Sequence, residues 1–307
     1  MRLHLRNGRL MRYYKNNENI KGIGQPLEYT KEQVDEYVQC ASDPVHFINN
    51  YCKIVTIDNG LQPFKLYDVQ ADLIRAINDN RKVLCLAPRQ VGKTQVSAGY
   101  ILWYTLFQPN KTVAILANKG AVAREILYRY QSMYEYLPHW LQQGIRTWNK
   151  GDIALENGSI VFTGATSPSG IRSRSVSLLY IDEAAIIPNT IADQFFASVY
   201  PTISSGKTAK ILISSTPLGY NHFWKFWKDS ENKVNDFARV LIDYKEVPGR
   251  DEAWANEQLR LLGEVKFNQE VLCLGPNVLV KIRDKYTKEE RTITIQELYK
   301  NLESKMC

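Results

Sequence analysis

Ala87-Pro88-Arg89-Gln90-Val91-Gly92-Lys93-Thr94 decides the fold of this chain, read together with Leu178-Leu179-Tyr180-Ile181-Asp182-Glu183. The first stretch is a phosphate-binding loop with one substitution: Ala87 stands where the pattern G-x-x-x-x-G-K-[ST] has its first glycine. The apolar run at 82–86 predicts a buried strand, and 92–106 predicts a helix. The loop therefore joins a strand end to a helix start, where unpaired N–H groups and the helix dipole favour phosphate oxygens. Gly92 lets the backbone approach closely. Lys93 carries a point charge to the β and γ phosphates, and Thr94 offers a hydroxyl to Mg2+. Pro88, Gln90 and Val91 belong to the same nucleotide-binding loop. Alanine tolerates positive φ poorly, so the turn at Ala87 is expected to be tamer than in the strict pattern.

The second stretch is an apolar strand, 177–181, ending in two adjacent acids. In a doubly wound parallel sheet, ligands bind outside the carboxyl ends of the strands. Asp182 is then placed to hold Mg2+, directly or through water, and Glu183 to polarise the attacking water. Loop and acids together describe binding and hydrolysis of a nucleoside triphosphate.

Strands and helices alternate around these motifs. Strands are predicted at 82–86, 112–116, 177–181 and 210–214, and helices at 92–106, 119–136, 191–199 and from 221. Residues 152–155 and 159–162 flank Glu156-Asn157-Gly158, a hairpin signal. The fold class is α/β: a P-loop NTPase with a mostly parallel sheet and helices on both faces. Ahead of it lies a helical lead-in, 1–60. One helix there is opened by the capping box Thr30-Lys31-Glu32-Gln33, and a second by Asp43-Pro44. A helix over 66–78 carries Leu66, Val69, Leu73, Ile74 and Ile77 on one face. Near its start, Gln70 has the donor and acceptor to read adenine and Tyr67 has a ring to stack on it; both also suit the polar face of an amphipathic helix. Ser214, Ser215 and Thr216 end the last core strand. Small hydroxyls there can sense a γ phosphate, and they equally suit a turn before Pro217.

The 307 residues suffice for one large domain or two small ones. No apolar stretch approaches the ~20 residues of a membrane span, and the N-terminus is not a secretory signal. A net charge of +7 and a pI near 9.0 favour a polyanionic partner only weakly. The pairs Arg124/Arg129 and Arg172/Arg174 suit either such a partner or a solvated face. The five cysteines (Cys40, Cys52, Cys85, Cys273, Cys307) show no C-x-x-C pair and no histidine at zinc-ligand spacing. An odd, unpatterned set suits a reducing cytoplasm, and Cys85 falls in a core strand.

In order, the chain reads Pro-Phe-x-Leu-Tyr-x-x-Gln (63–70), the loop, Gly-Ile-Arg-Ser-Arg-Ser (170–175), Tyr-Ile-Asp-Glu-Ala (180–184) and Ser-Ser-Thr-Pro (214–217). This series resembles the large subunit of tailed-bacteriophage terminases, the ATP-driven DNA-packaging motors, over about residues 40–272. It is similar to the myovirus type, whose loop also lacks the first glycine and carries Arg-Gln in its middle. The resemblance implies ATP and Mg2+ as cofactors, with Gln70 recognising adenine and Arg89 acting as an arginine finger. It also implies Asp182 as the magnesium acid, Glu183 as the catalytic glutamate and Ser214–Thr216 as the coupling motif. Arg172 and Arg174 match a segment near the nucleotide and a subunit interface. The implied partners are double-stranded DNA, a portal protein and the terminase small subunit. The assembly would be a homo-oligomeric ring docked transiently on the procapsid, in the host cytoplasm and without a membrane. The motor domain is expected over 61–272. Only 35 residues follow it, so no DNA cleavage is expected from this chain alone. One alternative, a second-superfamily helicase, shares the loop and acids but needs a second recombinase-like domain; the other is an inactive precursor that must be spliced to its nuclease half.

Residues 273–307 depart from the terminase pattern. Cys273-Leu-Gly-Pro-Asn-Val-Leu-Val-Lys-Ile resembles the first block of an intein: a cysteine, a turn, then an alternating strand, followed by turn, strand and short helix. That resemblance makes Cys273 the nucleophile that attacks the Leu272 carbonyl. The later Thr-x-x-His block and terminal Asn are absent, which implies half of a split pair, with a partner chain, or a truncation. The alternative is a divergent linker with an inert Cys273.

Overall fold

The computed structural model describes residues 4–6, 9–11, 13–167, 175–204, 206–219, 221–273, 279–283, 288–294 and 297. A short hairpin, β1 (His4–Arg6) and β2 (Arg9–Met11), precedes two helices, α1 (Lys31–Ser42) and α2 (Pro44–Tyr51). The predicted capping box opens α1: Thr30 Oγ1 accepts from the Gln33 N–H at 3.2 Å, and Gln33 Oε1 accepts from the Thr30 N–H at 3.1 Å. Asp43 caps α2 through the Val45 N–H at 2.8 Å, with Pro44 in the first turn.

Next come a hairpin of β3 (Lys53–Thr56) and β4 (Gly60–Pro63), then α3 (Asp68–Asp79), β5 (Lys82–Leu86) and α4 (Lys93–Phe107). They are followed by β6 (Thr112–Ala117), α5 (Gly120–Glu135), β7 (Ile145–Trp148), β8 (Asp152–Leu155), β9 (Ile160–Ala165) and β10 (Leu178–Ile181). The core closes with α6 (Asn189–Ser204), β11 (Lys210–Ser215), α7 (His222–Glu231) and β12 (Ala238–Leu241). Two helices, α8 (Glu252–Leu262) and α9 (Glu264–Glu270), and a hairpin of β13 (Leu279–Arg283) and β14 (Glu290–Thr294) follow.

Eight strands form one sheet in the order β12-β5-β11-β10-β6-β9-β8-β7. The pairs from β12 through β9 are parallel, and β8 pairs antiparallel with β9 and β7. This is the expected α/β class, and the hairpin signal at 156–158 marks the turn from β8 to β9. The core strands are apolar on both faces because both faces are covered. In β5, Val83 and Cys85 join the cluster under α3, α4 and α5, while Leu84 and Leu86 face Phe195, Phe196 and Phe223 of α6 and α7.

The expected 60/61 boundary lies within β4 (Gly60–Pro63), and the lead-in helices pack into the core of the α/β part. Cys40, Phe47 and Ile48 are fully buried in the main cluster with Leu73, Ile74 and Ile77 of α3. The helix predicted from residue 66 starts at Asp68, because the Tyr67 backbone is extended and serves as its N-cap. Arg172 and Arg174, and all of the short helix predicted near the C-terminus except Glu297, lie outside the described residues.

Candidate nucleotide site

Strand order decides what meets at the carboxyl edge. β11 lies between β5 and β10, so the loop after β5, the hydroxyls ending β11 and the acids ending β10 stand side by side. The first turn of α4 (Lys93, Thr94, Gln95) presents its N–H groups there. Positive φ falls on Gln90 (59°) and Gly92 (81°) and not on Ala87, so the missing glycine costs the loop nothing at that position. Ala87 is fully buried, and its N–H donates to the Ser215 carbonyl at 3.1 Å.

Asp182 is almost fully buried, and its two oxygens have separate partners. Oδ1 accepts from Tyr180 Oη and Ser214 Oγ, each at 2.8 Å. Oδ2 accepts from Thr94 Oγ1 at 3.3 Å. Tyr180 reaches Asp182 because residues two apart share a strand face. Ser214 reaches it because the parallel register sets Ile181 beside Ile213, one residue earlier on each strand. Burial, and then the neighbouring Glu183, push the Asp182 carboxyl up, against the hydrogen bonds from Tyr180 and Ser214. A hydroxyl and a carboxylate oxygen converging at Thr94 and Asp182 are the hard donors a magnesium ion takes, so these residues fit the ion expected there.

Glu183 follows with φ 50° and ψ 48°, a left-handed backbone that costs a non-glycine residue about 1–2 kcal/mol. The turn aims its carboxylate back at the loop. Oε1 pairs with Lys93 Nζ at 2.8 Å. Oε2 accepts from the Thr216 N–H (3.3 Å), Thr216 Oγ1 (3.2 Å) and Ser215 Oγ (3.5 Å). Burial raises the Glu183 carboxyl, but Lys93 and Thr216 outweigh it and hold the acid below its usual range. The hydroxyls at the end of β11 and just beyond it are therefore wired to the two acids: Ser214 to Asp182, Ser215 and Thr216 to Glu183.

Other predicted residues stand differently. Gln70 is buried, and its amide is engaged at both ends by backbone: Nε2 donates to the Val91 carbonyl (2.9 Å), and Oε1 accepts from the Tyr67 N–H (3.1 Å). In this arrangement it braces the loop. A Cβ at Gly92 would lie 2.6 Å from that Nε2. The Tyr67 ring is partly exposed beside it. Arg89 does not join Lys93 and the acids; its Nε pairs with Glu270 Oε2 at 2.5 Å, and its N–H donates to the Glu270 carbonyl at 3.2 Å. Pro88, Gln90 and Val91 form the loop wall. Arg250 grips that wall by donating to the carbonyls of Arg89 (3.2 Å) and Gln90 (2.8 Å), with its guanidinium 4.8 Å over the Trp254 ring. Sequence spacing pointed to neither Arg250 nor Glu270. Their partners are backbone groups and a loop arginine more than 150 residues upstream.

The chain matches the family described as "Terminase large subunit, T4likevirus-type, N-terminal" over residues 84–275. Among solved structures, it is similar to the large terminase ATPase domain of Thermus phage P74-26, with 21% identity over 68% of this chain and 93% of that one, at a TM-score of 0.55. The large terminase of bacteriophage HK97 is 15% identical over 78% of this chain and 56% of its own length, at 0.63. The large terminase of a thermophilic bacteriophage, solved in complex with ATP-gamma-S, is 13% identical over 78% of this chain and 73% of that one, at 0.52. At these identities the three structures speak for the fold. The chain spans only a little over half of the HK97 protein.

Proposed function

The chain belongs to the terminase large-subunit family, T4likevirus type, N-terminal, and we propose that its ATPase domain is the motor that drives double-stranded DNA into a procapsid. One observation carries this reading. Lys93 and Thr94, Asp182 and Glu183, and Ser214–Thr216 meet at the carboxyl ends of three adjacent strands and are bonded to one another.

ATP takes its phosphates to the first turn of α4, and Lys93 turns from Glu183 to the γ oxygens. Released, Glu183 orients the attacking water. The water oxygen bonds to the γ phosphorus, the bond to the bridging oxygen breaks, and the water proton passes to the glutamate or to a phosphate oxygen. Thr94 and Asp182 would hold Mg2+, which would supply positive charge against the phosphate groups. Tyr67 offers its ring to the base, and Gln70 keeps the loop shaped for the phosphates. Arg89 acts as the finger by leaving Glu270, a move that loosens α9 from the loop. Because Thr216 holds the same carboxylate that Lys93 holds, the end of β11 registers whether Glu183 is free. That is the link from hydrolysis to movement.

The reading extends to a portal-docked ring, a small-subunit partner and the host cytoplasm as the working compartment, on the strength of family membership. Its test is DNA-stimulated turnover: duplex DNA is expected to raise ATP hydrolysis several-fold, with the stimulation fading as salt rises. Hydrolysis indifferent to DNA at all salt concentrations contradicts the motor reading.

Within the same proposal, 273–307 is the N-terminal segment of an intein, completed in the split form by a partner chain. The family match stops at 275, two residues past Cys273, and an antiparallel hairpin, β13–β14, follows. Cys273 Sγ attacks the Leu272 carbonyl carbon, the peptide C–N bond breaks, and the thiol proton ends on the freed amine. In the state described, Cys273 is buried and burial pushes its thiol up to about 12, so the step requires the segment to leave its seat. Cys273→Ala abolishes joining to a complementary intein segment; joining that survives the change contradicts this part.

A further inference from the structure

Three metal-ligating side chains meet where α1 turns into α2, away from the nucleotide site. Glu36 and Cys40 are four residues apart on α1, hence on one face, and His46 enters from α2. His46 Nε2 lies 2.7 Å from Glu36 Oε1, and Cys40 Sγ lies 3.7 Å from the same oxygen. All three donor atoms fall within 4.8 Å of one another, the only such group of His, Cys, Asp and Glu among the described residues. We propose that Glu36, Cys40 and His46 form a binding site for a borderline-soft divalent cation, Zn2+ above all, with water in the fourth position.

The donor set selects the ion. Thiolate and imidazole favour Zn2+ or Co2+ over Mg2+ or Ca2+. Zn–S near 2.3 Å and Zn–N or Zn–O near 2.0–2.1 Å give tetrahedron edges of roughly 3.3–3.7 Å. The sulfur–carboxylate spacing already matches, and the imidazole and carboxylate need to part by about half an ångström. The surroundings suit a site with a closed floor and an open roof. Cys40 is fully buried, and its carbonyl accepts from Trp103 Nε1 at 2.8 Å; the side chains of His46 and Glu36 are 20% and 29% exposed. Outer groups orient the ligands. The amide groups of Gln39 and Asn50 each lie 3.1 Å from His46 Nδ1, and the Tyr51 hydroxyl bonds the Glu36 carboxylate. Turned end for end, the Gln39 amide accepts the Nδ1 proton and leaves Nε2 free for the metal.

Burial and the nearby carboxylate hold the Cys40 thiol protonated, pushed up to about 12. Loading therefore exchanges ligands: a water leaves the cation, Sγ bonds to it, and the thiol proton passes to solvent. The consecutive zinc spacings absent from the sequence are also absent here. The site is a C-x5-H step across a helix corner, completed by a carboxylate one turn upstream. Its occupant would clamp α1 to α2, and through Trp103 to α4.

Titrating chelator-treated full chain with Co2+, followed by near-ultraviolet absorption, tests this. One equivalent is expected to produce a thiolate-to-cobalt charge-transfer band that Zn2+ abolishes and Mg2+ does not. Cys40→Ser removes the band, Glu36→Gln and His46→Gln each weaken cobalt binding about tenfold or more, and Asp182→Asn leaves it intact. A wild-type chain without a band, or a band that survives Cys40→Ser, overturns the proposal. Should Cys40→Ser fail to fold, unchanged affinity in both surface-side variants overturns it equally.

Discussion

Asp182 and Glu183 are neighbours in sequence with opposite electrostatic settings, and each setting yields a prediction. Asp182 holds its proton more tightly in the folded chain than the ordinary 3.8. Its ionisation therefore costs stability that appears as pH rises from about 4 through its raised value. Asp182→Asn should melt higher than wild type at neutral pH without nucleotide, and calorimetry should show the gain vanishing toward pH about 4. In the presence of Mg2+ and ATP the order should reverse, because only wild type gains the ligand's stabilisation. A variant that melts lower at neutral pH without nucleotide contradicts the burial argument. Tyr180→Phe removes one of two donors to Asp182 Oδ1; a hydrogen bond to a charged group is worth about 1.5–3 kcal/mol. Urea melts at neutral pH should show a loss in that range.

The loop is the element on which the site depends, and other elements hold it from two sides. Gln70 of α3 braces it at Val91 and blocks any side chain at Gly92. Gly92→Ala should weaken ATP binding at least tenfold by calorimetric titration. Combining it with Gln70→Ala should relieve the contact but not the strain of φ 81°, leaving a coupling of about 1 kcal/mol in a double-mutant cycle. Arg250→Ala frees the Arg89 and Gln90 carbonyls and should raise the KM for ATP several-fold. Arg250→Lys should not restore it, since a lysine cannot reproduce the two-pronged grip. Most elements near the site were legible in the sequence because β5, β6, β10 and β11 are buried on both faces and read as apolar runs. β12 and β7 were not. β12 alternates half-buried and exposed positions at the sheet edge, and β7 at the other edge has one fully buried residue in four. The site was legible where chemistry fixes residue type, at Lys93, Thr94, Asp182 and Glu183. Arg250 and Glu270 were not, since their contacts depend on where α8 and α9 return in space.

At the scale of the molecule, the lead-in and the α/β domain share one core. Ile48 packs on α4 where Gly99 leaves room; a Cβ there would sit 3.2 Å from its side chain. Phe47, also fully buried, gives a sharp test: Phe47→Ala should cost about 3–5 kcal/mol in urea melts. A loss below 1 kcal/mol would mean the lead-in is a loosely attached unit and would contradict the shared core. The whole arrangement serves one claim, that Lys93 guards Glu183 until phosphates displace it. ATP turnover by the purified chain and by Glu183→Gln, with nucleotide affinity measured in parallel, tests it most directly. The prediction is turnover in wild type, a fall of about 10²–10⁴-fold in the variant, and ATP affinity equal or tighter because Lys93 no longer has a carboxylate to leave. A variant that hydrolyses ATP at the wild-type rate, or that loses ATP binding together with turnover, would contradict it.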